Sequence, residues 1–323
     1  MLPRRTLLTA PALLLAARGA PAQEVWPSRP VRMVLPYAAG GATDVICRLV
    51  ADRLSARLPQ RVIVENRTGA GGSIGASNVA KSPGDGHHLL FHNIGHAVTR
   101  VLYAQLDYDP ATDLKPATIV AESPMVLLVS PNSPHRSVQE LVAFAKANPE
   151  RLTYGSTGGG GALQLVSLLF LRAAGIRMTE VPYRGGAPAA LDLANGSLDM
   201  LYDAGLTAFG LAQGGRARAL AISGPQRSPV MPDVPTMAEL GFPDATFMVW
   251  QAVFAPGTTP APVLARIQEA VAAVLAEPAT RMRLTELGAE RLVGNTPEEA
   301  QRYVTQEMEK WAVILREAGV RAN

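Results

Sequence analysis

The 323-residue sequence contains 48% hydrophobic and 18% charged residues, and its formal net charge is +3. Arg4, Arg5 and Arg18 account for that charge, and no acidic residue precedes Gln23, so the chain from Gln23 onward has no net charge. Only 5% of residues are aromatic, and no basic run has aromatic residues between its charges, so we expect no nucleic-acid partner. The length exceeds that of a usual single domain and predicts two domains.

The first 22 residues have the layout of a cleavable export signal. Arg4 and Arg5 precede an apolar run from Leu7 to Ala17, and the small residues Ala20 and Ala22 stand just before Gln23. The apolar run is shorter than the roughly 20 residues of a membrane-spanning helix. We therefore expect cleavage before Gln23 and a periplasmic protein exported by either the Sec or the twin-arginine route.

From Val31 the sequence alternates short apolar runs with helical periodicity, a pattern typical of βα units around a parallel sheet. Strands are predicted at 31–35, 61–65 and 88–91, with helices after each of them. In the first helix we expect one apolar face, formed by Val45, Leu49, Val50, Leu54 and Leu58. The lone Cys47 has no cysteine with which to pair and is expected to be a small buried side chain.

Five prolines between 110 and 134 mark a change of pattern, with predicted strands at 117–121 and 125–129, where the chain is expected to cross between domains. Ser137 and Glu140 then form a capping-box pattern that opens a helix. A second βα series follows, and 247–256 is predicted as the return crossing. Two amphipathic helices are expected to close the chain, the second one capped by Thr296 and Glu299.

Three segments have a predicted strand followed by a glycine-rich turn that opens a helix: 37–44, 69–75 and 154–162. The first amides of a helix lack internal partners and carry partial positive charge, so a turn without side chains there can bind an anion. Thr43, Ser73, Ser156 and Thr157 add hydroxyl groups to these turns. Ordinary βα turns, in which glycine meets a backbone requirement, are the alternative.

Other functional motifs fit less well. No dinucleotide or P-loop glycine pattern is present. Gly71 to Gly75 match G-x-S-x-G, but seven residues separate Ser73 from the preceding strand, whereas a nucleophile elbow needs a tight turn. His87, His88, His92 and His96 cluster, and the four-residue spacing of His92 and His96 could bind zinc on a helix. The segment has a strand pattern and no nearby Cys or Glu, which favours surface or cleft-edge histidines.

Two acidic residues, Asp199 and Asp203, lie on the predicted strand 198–202 and at its end. Their proximity along one strand does not give the opposed carboxylates of glycoside hydrolysis. Asp199 is interpreted as a turn or strand-end residue. Asp203 stands where a parallel strand delivers its side chain to a ligand crevice, so it is a candidate recognition residue.

Four stretches together resemble the Bug family, the periplasmic solute-binding receptors of tripartite tricarboxylate transporters: "RPVRMVLPYAAGGATDVICRLV" with its continuation to "GHHLLF", "VPYRGGAPAALDLANGSLDMLYD", "RALAISGPQRSPVMPDVPTMAELGF" and "VFAPGTTPAPVLARI". The resemblance covers nearly all of the chain after the signal. It implies an α/β, two-domain, Venus-flytrap fold of the type II periplasmic binding protein kind, with parallel-rich sheets flanked by helices and two crossing segments. Its expected parts are a signal peptide (1–22), a discontinuous domain 1 (23–123 and 250–323) and a domain 2 (124–249).

The resemblance also implies a monomeric, non-enzymatic receptor that binds a small carboxylate between its domains and delivers it to membrane permease subunits. No cofactor and no metal are expected. The implied ligand contacts are Tyr37, Ala38, Gly40, Gly41, Thr43, Gly72, Ser73 and Asn93 from domain 1, and Ser156, Thr157, Gly158, Gln164, Arg184 and Asp203 from domain 2.

This chain departs from the family pattern at two of those positions. Gln164 stands where the family commonly has His, and Arg184 stands where it commonly has Lys. Arg184 would suit a second carboxylate if it faced the cleft, and it would otherwise be a solvated turn residue. The identity of the ligand therefore does not carry over. The alternatives are an exported serine hydrolase that uses Ser73 and a structural envelope protein without a saturable ligand.

Overall fold

The computed structural model describes residues 26–103 and 105–319, so the predicted export signal lies outside the described residues. Within them the strands are β1 (Val31–Leu35), β2 (Val62–Asn66), β3 (His88–Asn93), β4 (Leu114–Val129), β5 (Thr153–Ser156), β6 (Thr179–Pro182), β7 (Met200–Ala204), β8 (Arg218–Ile222), β9 (Met248–Pro256) and β10 (Arg291–Leu292). The helices are α1 (Ala42–Arg57), α2 (Ser73–Ala80), α3 (Gly95–Leu102), α4 (Val138–Ala147), α5 (Ala162–Ala174), α6 (Gly186–Asn195), α7 (Gly205–Gln213), α8 (Ala261–Ala276), α9 (Pro278–Glu286) and α10 (Pro297–Glu317).

The strands form two parallel-rich halves joined by antiparallel crossing strands. The neighbour order is β2-β1-β3-β9-β4-β7-β5-β6, with β8 and β10 also paired to β4. β1 pairs in parallel with β2 and β3, and β5 pairs in parallel with β6 and β7. The carboxyl ends of the parallel strands in each half therefore lie at one edge, where the glycine-rich turns leave them.

The first crossing is one continuous strand, which corrects the prediction of two separate strands around Pro124. Residues 114–124 of β4 pair with β9, whereas 125–129 pair with β7 and β8. Pro124 lies at the transfer point, where a missing N–H does not interrupt either set of strand bonds. Beyond it, Ser223 Oγ accepts from the Met125 amide at 2.8 Å and donates to the Phe247 carbonyl at 2.7 Å, joining both crossing segments.

The buried face of α1 differs from the predicted one. The core side carries Ile46, Cys47, Val50, Ala51 and Leu54, and Cys47 is fully buried as expected. Val45, which was assigned to that face, is 37% exposed. The small side chains of Cys47 and Ala51 pack close to the sheet, and a pattern that counts only large apolar residues does not detect them.

The carboxyl-terminal region contains three helices where two were predicted. The additional helix α9 buries only Thr280 and Leu284, so it has almost no apolar periodicity to reveal it. The predicted cap of α10 is confirmed, because Thr296 and Glu299 form a complete capping box. Ser137 caps α4 as predicted, but Glu140 accepts from the Arg136 amide instead of completing the box at Ser137.

The buried residues form a large cluster on one side of the sheet and two smaller clusters on the other. The large cluster runs through both halves and includes Trp250 and, from α10, Val304, Trp311 and Leu315. Burial of such a side chain contributes about 1.5–3 kcal/mol, so α10 is held by packing along its length. None of the helices in the described ranges has the length and apolar character needed to cross a membrane.

Candidate functional site

The first glycine-rich turn connects β1 to α1. Gly40 has a φ of +87°, and Gly41 precedes the helix without any side-chain cap. Ala38, Gly40 and Gly41 are exposed, and Thr43 is half-buried. The amides of Gly41, Ala42 and Thr43 donate to no acceptor in the described chain. This helix start therefore offers open N–H groups to solvent.

The side chain of Asp44 fixes the conformation of that turn. Its carboxylate is buried and accepts from the Gly40 amide at 3.0 Å, from Arg48 Nε at 2.9 Å and from Asn66 Nδ2 at 2.9 Å. Burial would raise the pKa of Asp44, but these hydrogen bonds outweigh it and hold the pKa below its usual value. Asp44 is thus an ionised structural residue that binds the Gly40 amide, and the amides of Gly41, Ala42 and Thr43 have no acceptor in the described chain.

The second turn, 69–73, is a 3₁₀ turn that runs directly into α2. Ser73 is buried, and its hydroxyl donates to the Ala70 carbonyl at 2.8 Å. No histidine nitrogen accepts that proton among residues 26–103 and 105–319, so the arrangement of a serine nucleophile is absent there. Gly72 has a φ of +100°, and a Cβ added to it would lie 3.1 Å from His92 Nε2. Only glycine fits this position without strain.

A polar cluster behind the first two turns joins them to the end of β3. The Tyr37 hydroxyl donates to Asn93 Oδ1 and lies 3.0 Å from His92 Nδ1. Asn93 in turn donates to Thr43 Oγ1 at 3.2 Å and accepts from the Gly95 amide at 2.9 Å. Three of the predicted contacts, Tyr37, Thr43 and Asn93, thereby share one network with His92 and Gly95.

The third turn connects β5 to α5 and has three successive left-handed glycines, Gly158, Gly159 and Gly160. The buried Ser156 hydroxyl accepts from the Gly158 amide at 3.0 Å, and Gln164 Oε1 accepts from the Gly160 amide at 2.9 Å. The amides of Thr157, Gly159 and Ala162 have no acceptor in the described chain. The polar atoms of Ser156 and Gln164 are therefore engaged in shaping the turn.

Asp203 is the predicted acidic ligand contact of the second half. It is 5% exposed, its Oδ1 accepts from the Ala204 amide at 2.8 Å, and its Oδ2 has no partner among the described residues. Burial raises the pKa of Asp203 to about 6. β5 and β7 pair side by side, so Asp203 leaves the sheet next to the third turn. Arg184, by contrast, is exposed and pairs with no described carboxylate.

The two halves of the chain meet at the second and third turns. A Cβ added to Gly71 would clash with the Tyr103 hydroxyl at 2.3 Å, and one added to Gly159 would lie 3.1 Å from the same oxygen. A Cβ at Gly160 would come within 2.3 Å of Leu102 and 2.6 Å of Val98. The end of α3 thus packs against glycine turns from both halves.

The histidine prediction is wrong. Instead of lying at a surface or cleft edge, His87, His92 and His96 are buried. The His92 and His96 rings lie edge to face, with 5.6 Å between centroids, and burial lowers the pKa of His92 to about 4 and of His96 to about 3. In the described part of the chain no group of three or more His, Cys, Asp or Glu residues could hold a metal ion.

Two residues around the site had no signal in the sequence. Tyr103 follows a short helix, and its contacts to Gly71 and Gly159 are distant in the chain. Glu180, on strand β6, accepts from Gln164 and Ser156 of the third turn. A strand containing one acidic residue is an ordinary pattern, so only the folded structure shows these contacts.

Known proteins resemble this chain in sequence and in fold. Residues 46–320 match the model of the tripartite tricarboxylate transporter family receptor, TctC. Protein BugT of Bordetella pertussis is 33% identical over 300 residues, covering 92% of this chain and 92% of BugT. Among solved structures, R. palustris Rpa4515 with adipate is 36% identical with a TM-score of 0.84, covering 92% of this chain and 100% of that chain.

A second solved relative is MatC from Rhodopseudomonas palustris with bound malate, 32% identical with a TM-score of 0.81, covering 90% of this chain and 100% of MatC. These similarities confirm the predicted α/β, type II periplasmic binding protein fold. They also confirm the resemblance to the Bug family on which the site was predicted. The chain belongs to the family of tripartite tricarboxylate transporter receptors.

Proposed function

We propose that this protein is a periplasmic receptor that captures a small carboxylate between its two halves and delivers it to the permease subunits of a tripartite tricarboxylate-type transporter. Two observations carry the proposal: the second and third glycine turns, one from each half, meet at the end of α3, and the first and third turns open helices with amides that have no acceptor in the described chain. Related receptors with adipate and malate support the ligand class.

Within this proposal the open amides of the first and third turns bind the ligand carboxylate. A hydrogen bond to a charged group contributes about 1.5–3 kcal/mol, so two or three of them approach the roughly 8 kcal/mol of a micromolar site. Tyr37, Ala38, Gly40, Gly41, Thr43, Gly72, Ser73 and Asn93 form the wall from the first half, and Thr157, Gly158, Arg184 and Asp203 form the wall from the second. Ser156 and Gln164 contribute indirectly, because their hydrogen bonds to the Gly158 and Gly160 amides fix the conformation of the third turn.

Asp203 narrows the ligand class. The Oδ2 atom of Asp203 has no partner among the described residues, so a ligand with an amine or hydroxyl group at its far end would supply the missing hydrogen-bond donor. Asp203→Ala should weaken an amino- or hydroxy-acid ligand, and unchanged affinity in calorimetry would remove Asp203 from the site. Arg184→Ala is the companion variant: a loss of dicarboxylate affinity there would indicate a second carboxylate instead.

The domain division follows from the same proposal. We propose that 23–123 with 250–323 and 124–249 are the two domains, which close around the ligand by bending at the crossing segments. Strand pairing supports this division, because β4 exchanges partners at Pro124 and Met125. We further propose that the receptor is a monomer and reaches the periplasm through cleavage before Gln23. Mass spectrometry of the exported protein tests that cleavage site.

A thermal-shift screen of the purified protein against a library of carboxylic acids tests the function, since a ligand that binds only the native state raises its melting temperature. Calorimetry with each hit should give one site per chain. An absence of any saturable carboxylate would overturn the proposal. We also propose that the protein has no catalytic activity, and ester hydrolysis that disappears in Ser73→Ala would contradict this.

A further inference from the structure

The carboxylate of Glu180 is bound to three donors around the third glycine turn. Glu180 is on strand β6, at the end of the strand order. Its Oε1 accepts from the Ser156 hydroxyl and from Gln164 Nε2, the latter at 2.8 Å, and its Oε2 accepts from the Tyr154 hydroxyl at 3.3 Å. No ion pair with a Lys, Arg or His side chain reaches this carboxylate within the described residues.

The chemistry of a carboxylate determines the direction of each hydrogen bond. An ionised carboxylate only accepts, so Ser156 and Gln164 must use their hydrogens on Glu180. Their remaining acceptor atoms then face the turn, where Ser156 Oγ receives the Gly158 amide at 3.0 Å and Gln164 Oε1 receives the Gly160 amide at 2.9 Å. The orientation of the Gln164 amide group is set by this arrangement.

Hydrogen-bonded and open backbone amides therefore alternate along the third turn. The amides of Gly158 and Gly160 point inward to side chains, whereas those of Thr157 and Gly159 have no acceptor in the described chain. Three successive glycines with φ of +61°, +55° and +80° give the backbone this path. Such a run is flexible, because glycine reaches many other conformations at no steric cost.

We propose that Glu180 is a positioning residue for ligand binding: through Ser156 and Gln164 it holds the third turn so that the Thr157 and Gly159 amides face the ligand. This inference rests on the proposed carboxylate-binding function. Gln164 and Glu180 act as a pair in it, so the polar residue at 164 serves the turn and does not itself need to contact the ligand.

A positioning role and a purely electrostatic role of Glu180 predict opposite changes in ligand affinity for Glu180→Gln. Removing a negative charge near an anion site should strengthen anion binding by relieving repulsion. A neutral carboxamide oxygen is a weaker acceptor than a carboxylate oxygen, so Glu180→Gln holds the Ser156 and Gln164 donors less tightly. The turn then loses part of its fixed path, and binding should weaken. A loss of one charge-assisted hydrogen bond corresponds to about tenfold in affinity.

Calorimetry with adipate and with L-malate should therefore show about tenfold weaker binding for Glu180→Gln than for the wild type. Glu180→Asp keeps the charge but shortens the side chain and should also weaken binding. The matched control is Glu150→Gln: Glu150, like Glu180, is an exposed acidic residue of the second half, and its carboxylate pairs with Arg177. Its affinity should equal that of the wild type.

A second measurement needs no ligand. Amide hydrogen exchange at Gly158 and Gly160 should accelerate by about tenfold in Glu180→Gln, with no such change in Glu150→Gln. Wild-type protein that binds neither probe would count against the proposed ligand class, while the exchange data would still test the role of Glu180. Equal or tighter binding together with unchanged exchange at both glycines would overturn the inference.

Discussion

Asn93 at the end of β3 holds Thr43 at the start of α1, with 3.2 Å between Asn93 Nδ2 and Thr43 Oγ1. The Oδ1 atom of the same side chain accepts from the Gly95 amide and from the Tyr37 hydroxyl. The side-chain amide of Asn93 thus connects the end of β3 to the first turn. Asn93 is buried, whereas Thr43 is half-buried. The donor and acceptor ends of Asn93 have separate partners, so an acidic replacement loses the donor and requires the Thr43 hydroxyl to reverse its role.

We expect Asn93→Asp to weaken carboxylate binding by about tenfold or more, because it loses the donor to Thr43 and adds a buried negative charge beside an anion site. Calorimetry with adipate and L-malate measures the change. Asn195→Asp, which adds the same charge at an exposed helix end, should bind like the wild type. Equal affinity of the two variants would contradict the assignment of Asn93 to the site.

Gly160 and Gly158 form a matched pair for testing the contact between the halves. Both have left-handed φ, but a Cβ at Gly160 would meet Leu102 and Val98, whereas one at Gly158 meets nothing within 4 Å. Gly160→Ala should therefore weaken ligand binding about tenfold more than Gly158→Ala. With the added methyl group, the two halves can close around the ligand only if helix α3 is displaced. Similar affinities for the two variants would show that α3 and the third turn need not touch in the bound state.

Asp203 gives a pH dependence of stability with a defined sign. Burial raises the pKa of Asp203 in the folded protein from 3.8 to about 6, so the group favours folding when protonated and opposes it when ionised. Asp203→Asn should match the wild type near pH 4 and exceed its free energy of unfolding by roughly 1–3 kcal/mol above pH 6.

Denaturant unfolding between pH 4 and pH 8 measures that difference. Asp233→Asn, at an exposed position, is the control and should show no such trend. A constant difference between wild type and Asp203→Asn across this range would indicate that Asp203 is not desolvated in the free protein.

Cys47 should be chemically inert in the native protein. It is fully buried, and burial raises the pKa of its thiol well above the usual range, so almost no reactive thiolate is present. A thiol reagent such as a disulfide dye should react with less than about a tenth of the chains under native conditions and with nearly all of them in denaturant. Rapid stoichiometric reaction of the native protein would place Cys47 at an accessible surface.

Local features of this protein were readable from the sequence because they depend on neighbours a few residues apart. The cap of α10 by Thr296 and Glu299 needs only residues three apart, and it forms as predicted. The glycine turns at helix starts were predicted for the same reason. The resemblance to the Bug family made the overall fold predictable as well, because an ordered set of motifs specifies a topology and a single motif does not.

Features that depend on distant residues were decided only by the tertiary structure. β4 continues through Pro124 because new strand partners from the second half begin at Met125, and α9 folds with too few buried residues to be noticed. The His96 ring on α3 packs against Phe254 of β9, and the His92 ring packs against Tyr37 and His96, so both histidines are buried by contacts that their own segment does not indicate.

The same division applies inside the site. The sequence by itself determined where helix starts and glycines would offer open amides, because backbone geometry is a local property. Which amides stay open was decided by Glu180 and Gln164, which meet the third turn only after β5, β6 and α5 have packed together. Hydrogen bonds between distant residues exist only in the folded chain, so this part of the site follows from tertiary structure alone.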